Sequence, residues 1–472
     1  AKSFKQRQSD MSGFENSETA DARARAEAFL AAHPAVANVD LLVTDPNGIV
    51  RGKRVRRDVL PKVFEQGICL PGSVFACDIN GETVESSGLG FHRGDADDLC
   101  RPVPGSLTLT GWERGADAQL IMTMFDHAGR PFFADPRQVL GRTLARYSEL
   151  GLTPVVALEL EFYLLDREPD AAGRPQPPRS PVSGRRERST QVYGMTELDD
   201  YSAFLAEVDR LAAIQGVPAD TAVAEYAPGQ YEINLQHVDD AVTAADHAVL
   251  LKRIIRRAAE AFGMDATFMA KPYAGEAGSG THMHVSLLDE DGRNVFAAED
   301  PLGSPRLAQA AAGLLATMPE ALALLAPNVN SMRRFQPDAF VPITPSWGAN
   351  NRTVAVRVPT GGPESRRIEH RVAGADANPY LVAAAVLAGM HHGLSAELTP
   401  PPPVVGNATV GDGASLPGSW LHAIETLAEG RVLPDYLDPE FVRVFLACRE
   451  HERRRFHETI TPLEHAWYLR SV

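Results

Sequence analysis

The sequence predicts an α+β protein in two unequal parts, and three observations carry that expectation. At 472 residues the chain is too long for one ordinary hydrophobic core. From Val36 to about Phe133 it reads as short strands and turns. From residue 134 onward, helical and strand spacings alternate. We expect a polar lead-in with a short helix over 1–35, a small β-rich domain over 36–133, and a larger domain with a helical C-terminal tail over 134–472.

Local chemistry justifies each element in order. Residues 1–20 are polar and Ser-rich and read as a disordered lead-in. "NVDLLVTDPNGIVRGKRV" is a hairpin around Asp45-Pro46-Asn47-Gly48, and "AQLIMTMFDHAGRPFF" is a second around Asp126 to Gly129, with one short helix near Asp58 to Gln66 between them. Asp135-Pro136 caps and opens a helix that Gly151 ends. "VVALELEFYLLD" is a strand, and the Pro-, Arg- and Ser-rich stretch 167–190 is a loop. Apolar positions recur at helical spacing over Asp199–Gly216 and Asp239–Gly263, while "AVAEYAPGQYEINL", "ATFMAKPY", "THMHVSLLD", "RTVAVRVP" and "RRIEHRVAG" read as strands. "NPYLVAAAVLAGMHHGL" is a buried helix, "TPPPPVVGN" breaks the chain, and a helical tail starts near Leu416.

Composition excludes several function classes. A formal net charge of -15 argues against a nucleic-acid or anionic-membrane partner. No apolar run approaches the ~20 residues of a membrane helix, and no secretory signal is legible, so a cytoplasmic enzyme is expected. Cys69, Cys77, Cys100 and Cys448 form no CxxC pair, which fits a reducing compartment.

The chemistry lies in polar pairs at period two. Glu159 and Glu161 point the same way from an otherwise apolar strand, and buried like charges there call for a compensating cation. Glu225 and Glu232 flank an Ala-Pro-Gly turn; His282 and His284 share a strand face with Ser286 next in line; Glu369 and Arg371 share another. Carboxylates dominate and no cysteine joins them, which favours Mg²⁺ or Mn²⁺ over structural zinc. Arg333, Arg334, Arg352, Arg357, Arg366, Arg367 and Arg371 gather nearby in sequence, with Arg352 and Arg357 read as set into a strand. Metals facing guanidinium groups are what phosphoryl transfer requires. His391, His392, His451, His457 and His465 read as packing or surface residues.

From about Val36 onward, "ELEF", "EYAPGQYE", "GSGTHMHVSL", "NSMRRFQP", "NNRTVAVRVP", "RRIEHR" and "DANPYL" resemble the glutamine synthetase family in order and spacing, most of all its polyamine-ligating branch. That resemblance implies a β-grasp-like N-terminal domain and a larger catalytic domain with a curved antiparallel sheet, self-associated in rings as a dodecamer, with active sites between subunits. It implies that Glu161, Glu225 and Glu232 hold one metal and Glu159, His282 and Glu369 a second. His284 and Ser286 would line the nucleotide, and Arg352, Arg357 and Arg367 would face the ATP phosphates. Arg334 and Arg371, with His282 and the Gly278 backbone, would hold L-glutamate, and Arg334, Arg352 and Arg371 would be catalytic.

Three departures bear on the substrates, the first two on the amine and the third on the amino end of glutamate. "PGSV" puts Pro71 where ammonium-using members carry Asp, "DAFVP" puts Phe340 where they carry Glu, and Ala277 replaces the Asn before Gly-Ser-Gly. An apolar wall suits methylenes better than NH₄⁺. The resemblance thus implies an ATP-dependent ligase joining the γ-carboxylate of glutamate to putrescine or another polyamine through γ-glutamyl phosphate. A glutamine synthetase, a ligase for ethanolamine or an alkylamine, a noncatalytic assembly protein and a metal-dependent hydrolase are the competing readings. A diamine's distal ammonium would need an acid, for which Glu82 and Glu85 are the candidates. "TPPPPVVGN" lacks the tyrosine that some bacterial members adenylylate.

Overall fold

The computed structural model describes residues 21–189, 191–337, 339–409 and 415–472. Of the polar lead-in, residues 1–20 lie outside the described residues, and residues 21–32 are helical.

Two sheets organise the molecule. The first is six-stranded: β1 (Asn38–Thr44), β2 (Val50–Arg56), β3 (Ile68–Pro71), β4 (Asp97–Pro102), β5 (Thr108–Leu109) and β6 (Ala118–Phe125), in the order β2-β1-β6-β4-β3 with β5 also on β6. β1 and β6 run parallel and the other pairs antiparallel, with the helix Leu60–Gln66 after β2. The first hairpin forms as the Asp-Pro-Asn-Gly turn dictates: the Asp45 carboxylate accepts from the Asn47 and Ile49 amides, both at 2.9 Å, and Gly48 takes φ +75°. The second expected hairpin does not propagate. Its return strand is reduced to one bridge, Phe125 to Pro131. β6 is buried over seven of its eight residues and takes the sheet centre between β1 and β4, where a continuous apolar run is most stable.

The second sheet is eight-stranded: β7 (Thr153–Asp166), β8 (Ala219–Ala224), β9 (Gln230–Leu235), β10 (Met264–Thr267), β11 (Thr281–Leu288), β12 (Trp347–Ala349), β13 (Val356–Val358) and β14 (Ile368–His370). Its order is β12-β13-β14-β11-β7-β9-β8, with β10 on β7, and only β12 and β13 pair in parallel. The anticipated strands "RTVAVRVP" and "RRIEHRVAG" shrink to three residues each. Arg352 therefore sits in the turn before β13 rather than in a strand, and Arg371 lies one residue beyond β14.

Helices back this sheet, and their ends follow capping chemistry. Asp135, Asp240 and Asn378 accept backbone N–H groups at the starts of Pro136–Glu149, Ala241–Ala261 and Pro379–Ser395, and Gly216 closes Ser202–Gln215 in the left-handed conformation. One long helix was not expected. Pro305–Leu325 is capped by Ser304 and apolar around most of its circumference. By length and hydropathy it could cross a membrane, against the sequence expectation, yet 72% of its most apolar window is buried inside the protein. It packs backbone to backbone on Pro379–Ser395. A Cβ on Gly313 would lie 2.1 Å from the Gly389 carbonyl oxygen, so only glycine permits this approach. One hydrophobic core surrounds the second sheet; another fills the first sheet and borrows Val444 and Cys448 from the helix Pro439–Glu458.

Candidate active site

Strand register assembles the polar pairs into one row across the second sheet. Arg357 on β13 lies opposite Glu369 on β14, and Glu369 lies opposite His284 on β11. His282 on β11 lies opposite Glu159 on β7, and Glu161 on β7 lies opposite Glu232 on β9. Side chains at period two on adjacent strands must meet on one face, so five strands drawn from across the sequence converge. Ligand atoms of Glu159, His282 and Glu369 lie within 4.8 Å of one another, and so do those of Glu161, Glu232 and His282. His282 is shared by both groups. Glu225, half-buried, stands outside these triads but within electrostatic reach of Glu161 and His282.

The electrostatics of the row are unbalanced. Glu159 is held between two imidazoles: His282 Nδ1 is 3.0 Å from one of its oxygens and His284 Nε2 is 2.9 Å from the other. Burial would raise its pKa, and those two contacts overcome burial and hold it far below the usual carboxylate range. Glu369 is likewise buried, but Arg371, His282, His284 and Arg357 bring it down to about 2. Arg357 Nη1 donates to it at 2.8 Å and Arg371 Nη1 to its other oxygen. At the other end compensation is weaker, with His282 and Arg352 acting on Glu225 only through space. Burial and then repulsion by Glu161 push Glu225 up to about 7. Burial and then Glu159, Glu161, Glu225 and Glu369 push Glu232 up to about 10. Two carboxylates about 4 Å apart repel by roughly 4 kcal/mol at an effective dielectric constant near 20. A divalent ion with oxygen-rich coordination removes that repulsion, and Glu161, Glu232, Glu225, Glu159, Glu369 and His282 could hold such ions.

The arginines divide by depth. Arg334 is 3% exposed; its Nη1 donates to the Val372 carbonyl at 3.0 Å, while its buried Nε has no hydrogen-bond partner among the described residues. Arg371 and Arg357 also carry unpartnered buried Nε atoms. Such orphaned donors beside a charged row are groups waiting for an anion. Two glycines make room for Arg334. A Cβ on Gly278 would come within 2.6 Å of Arg334 Cγ, and one on Gly280 within 2.7 Å of its Nη2. Gly280 also donates its N–H to Glu161 Oε2 at 2.6 Å. Arg367 Nε lies 3.1 Å from His284 Nδ1, which brings two of the expected nucleotide-facing residues together. Ser286 follows on β11, half-buried, and Arg352 is exposed.

Asn234 escaped the sequence reading. It lies opposite Glu159 on β9, and its buried Oδ1 has no partner among the described residues. Its position two residues after Glu232 was the legible signal. The expected amine-pocket residues stand on different parts of the fold. Phe340 is 62% exposed with φ +51° and, with Val341, Thr353, Asn407 and Thr409, lines a hollow of about 150 Å³. Pro71 ends β3 in the first sheet and does not line that hollow. Glu82 and Glu85 are engaged locally, Glu82 with Arg455 at 2.7 Å and Glu85 with the Phe91 amide at 3.0 Å. His391 packs in the interior, its Nδ1 2.7 Å from the Tyr436 hydroxyl.

Residues 133–468 match the catalytic domain of glutamine synthetase. The chain is 46% identical to γ-glutamylputrescine synthetase of Escherichia coli over 94% of each chain. It is 34% identical to glutamate–isopropylamine ligase of a Pseudomonas species, over 79% of this chain and 81% of the relative. The fold superposes on an ADP complex of GmaS with a TM-score of 0.80 at 26% identity, over 92% of this chain and 97% of the other. The chain belongs to the glutamine synthetase family, whose members use ATP and divalent metals.

Proposed function

We propose that this protein joins the γ-carboxylate of L-glutamate to putrescine or a related polyamine, with ATP cleaved to ADP and phosphate. The observation that supports this most is the row of four glutamates and two histidines, with Glu225 close by, ending in partly unpaired guanidinium groups. Its donor set fits Mg²⁺ or Mn²⁺, with Glu161, Glu225 and Glu232 holding one ion and Glu159, His282 and Glu369 the other. The bound ions supply neutralisation of phosphate oxygens as charge shifts.

The chain's own residues do the rest. Arg352, Arg357 and Arg367 lie along the phosphates, and His284 and Ser286 border the nucleotide. Arg334 and Arg371 hold glutamate carboxylate oxygens in a buried place, the Gly278 backbone beside them. That fixes the γ-carboxylate near the terminal phosphorus, so a carboxylate oxygen takes the phosphoryl group as ADP leaves, and a poor acyl donor becomes an acyl phosphate. Water must be kept out until the amine displaces phosphate, and the depth of Arg334 and Arg371 serves that exclusion. Pro71 and Phe340 present apolar surface to the methylenes of the amine. Pro71 ends a strand of the first sheet and Phe340 lies in a loop, and in the ring proposed here, a dodecamer with active sites between subunits, they would come from neighbouring subunits. The boundaries 36–133 and 134–472 and a cytoplasmic location belong to the same reading.

A panel of putrescine, spermidine, ethanolamine, isopropylamine and ammonium, scored by phosphate release with glutamate and ATP, tests the proposal. The highest kcat/KM should fall on a polyamine. Phosphate release that is independent of glutamate would instead indicate a hydrolase, and none with any amine would indicate a noncatalytic assembly protein.

A further inference from the structure

Behind the row, a cleft of about 420 Å³ opens between the β1–β2 turn, the helix Ala241–Ala261 and the segment Thr267–Met269. That volume lies within the usual range of small-molecule pockets. Lys252, Arg253, Arg256 and Arg257 reach it from the helix, against Glu260 and Asp376. Three of these cations are partnered. Lys252 Nζ donates to the carbonyls of Ala375 at 2.6 Å and Ala377 at 3.1 Å, Arg253 Nη2 to Asp40 at 2.7 Å, and Arg257 Nη1 to Glu260 at 2.8 Å. Arg256 has no hydrogen-bond or ion-pair partner among the described residues; its guanidinium lies 5.1 Å from the centre of the Phe268 ring. Arg256 is an exposed residue of the helix, so its guanidinium is open to a ligand from solvent. Ile79 and Met269, 52% and 45% exposed, give the cleft an apolar side.

The cleft is also connected to the row. Lys252 clasps the carbonyls on either side of Asp376, and Asp376 Oδ2 accepts from Asn328 Nδ2 at 2.7 Å and Ser331 Oγ at 2.6 Å. Ser331 opens the turn whose carbonyl accepts the Arg334 amide at 3.1 Å, and the Asp376 charge acts on the Arg334 guanidinium directly.

We propose that this cleft binds a small organic anion, its carboxylate or phosphate on Arg256 and its apolar part on Ile79 and Met269, and that occupancy alters glutamate binding through Asp376 and Arg334. Only the second half of this rests on the proposed ligase function.

Calorimetric titration of the full chain with glutarate and with phenyl phosphate tests the site and separates a carboxylate from a phosphate ligand. At least one probe should bind. Its affinity should fall about tenfold or more in Arg256→Met and stay within about threefold in Arg256→Lys and in Arg334→Lys. The bound probe should shift the KM for glutamate at least about twofold in the native chain and not in Arg256→Met. Absence of binding by either probe at about 10 mM overturns the site. So does unchanged binding in Arg256→Met, or loss confined to Arg334→Lys, which would place the probe in the glutamate site. Binding with an unmoved KM overturns the coupling. Failure of the ligase reading would show separately, as no phosphate release with any amine while Arg256-dependent binding persists.

Discussion

Two clusters of buried charge in this molecule are built on opposite terms. Where the first sheet meets the helix Pro439–Glu458, buried acids are met by donors. Asp45 accepts from Arg51 Nε at 2.7 Å, Glu452 from the Ile79 amide at 2.7 Å and from Arg449 at 3.0 Å, and Asp78 from Arg455 at 2.9 Å. Arg449, 2% exposed, also reaches the Pro327 carbonyl and Asn47. Asp78, Glu82 and His451 approach as three metal ligands would, but Arg455 already lies between the two acids. That cluster joins two parts of the chain. In the row across the second sheet, acids face acids, with Glu161 lying directly opposite Glu232. Balanced buried charge reads as structure; unbalanced buried charge reads as a site that something else completes.

That contrast can be broken by experiment. The largest effect is expected from Glu159→Ala, which removes the acid between the two imidazoles: glutamate-dependent phosphate release should fall on the order of 10³-fold, with Tm little changed. Retention of more than about a tenth of the activity would remove Glu159 from the chemistry. The joining cluster should answer the other way. Arg449→Met leaves Glu452 buried without its cation and should cost about 3 kcal/mol or more in a denaturant titration, while activity per folded molecule is kept.

The pH dependence sharpens the same comparison. Glu225 and Glu232 have folded values of about 7 and about 10, above an unfolded value near 4.3. The stability they lend as neutral acids is complete below pH ~4 and is lost as pH rises through those folded values. Glu159 and Glu369 are held low, so theirs is lost only in acid and does not enter this window. Metal-free protein should therefore lose a few degrees of Tm between about pH 6 and pH 9, and Mn²⁺ should restore them. In Glu232→Gln the metal-free loss should be smaller. A flat Tm across that window would show that the row carries no excess charge.

The smallest effect concerns the amine. Phe340→Glu combined with Pro71→Asp should shift relative kcat/KM from alkylamine toward ammonium by roughly tenfold, about 1.4 kcal/mol. An unchanged ratio would detach those two residues from the amine.

Much of this was legible in the chain itself, and for a definable reason. Turns, caps and period-two pairs are local: Asp45-Pro-Asn-Gly, Asp135-Pro136, Asn378-Pro379 and the Glu159/Glu161 and His282/His284 pairs each fix their own conformation or face within a few residues. The second hairpin was misread because β6 was worth more at the sheet centre than against its neighbour in sequence. The helix Pro305–Leu325 was missed although Ser304-Pro305 announced it. Sequence alone determined which side chains could share a strand face and how the elements begin and end. Only the tertiary structure decided which acid faces which cation, that His282 serves both triads, that Asn234 stands opposite Glu159 and that Arg256 is left unpaired. Those facts depend on pairing between strands and helices tens to hundreds of residues apart, where burial and register set the charge balance.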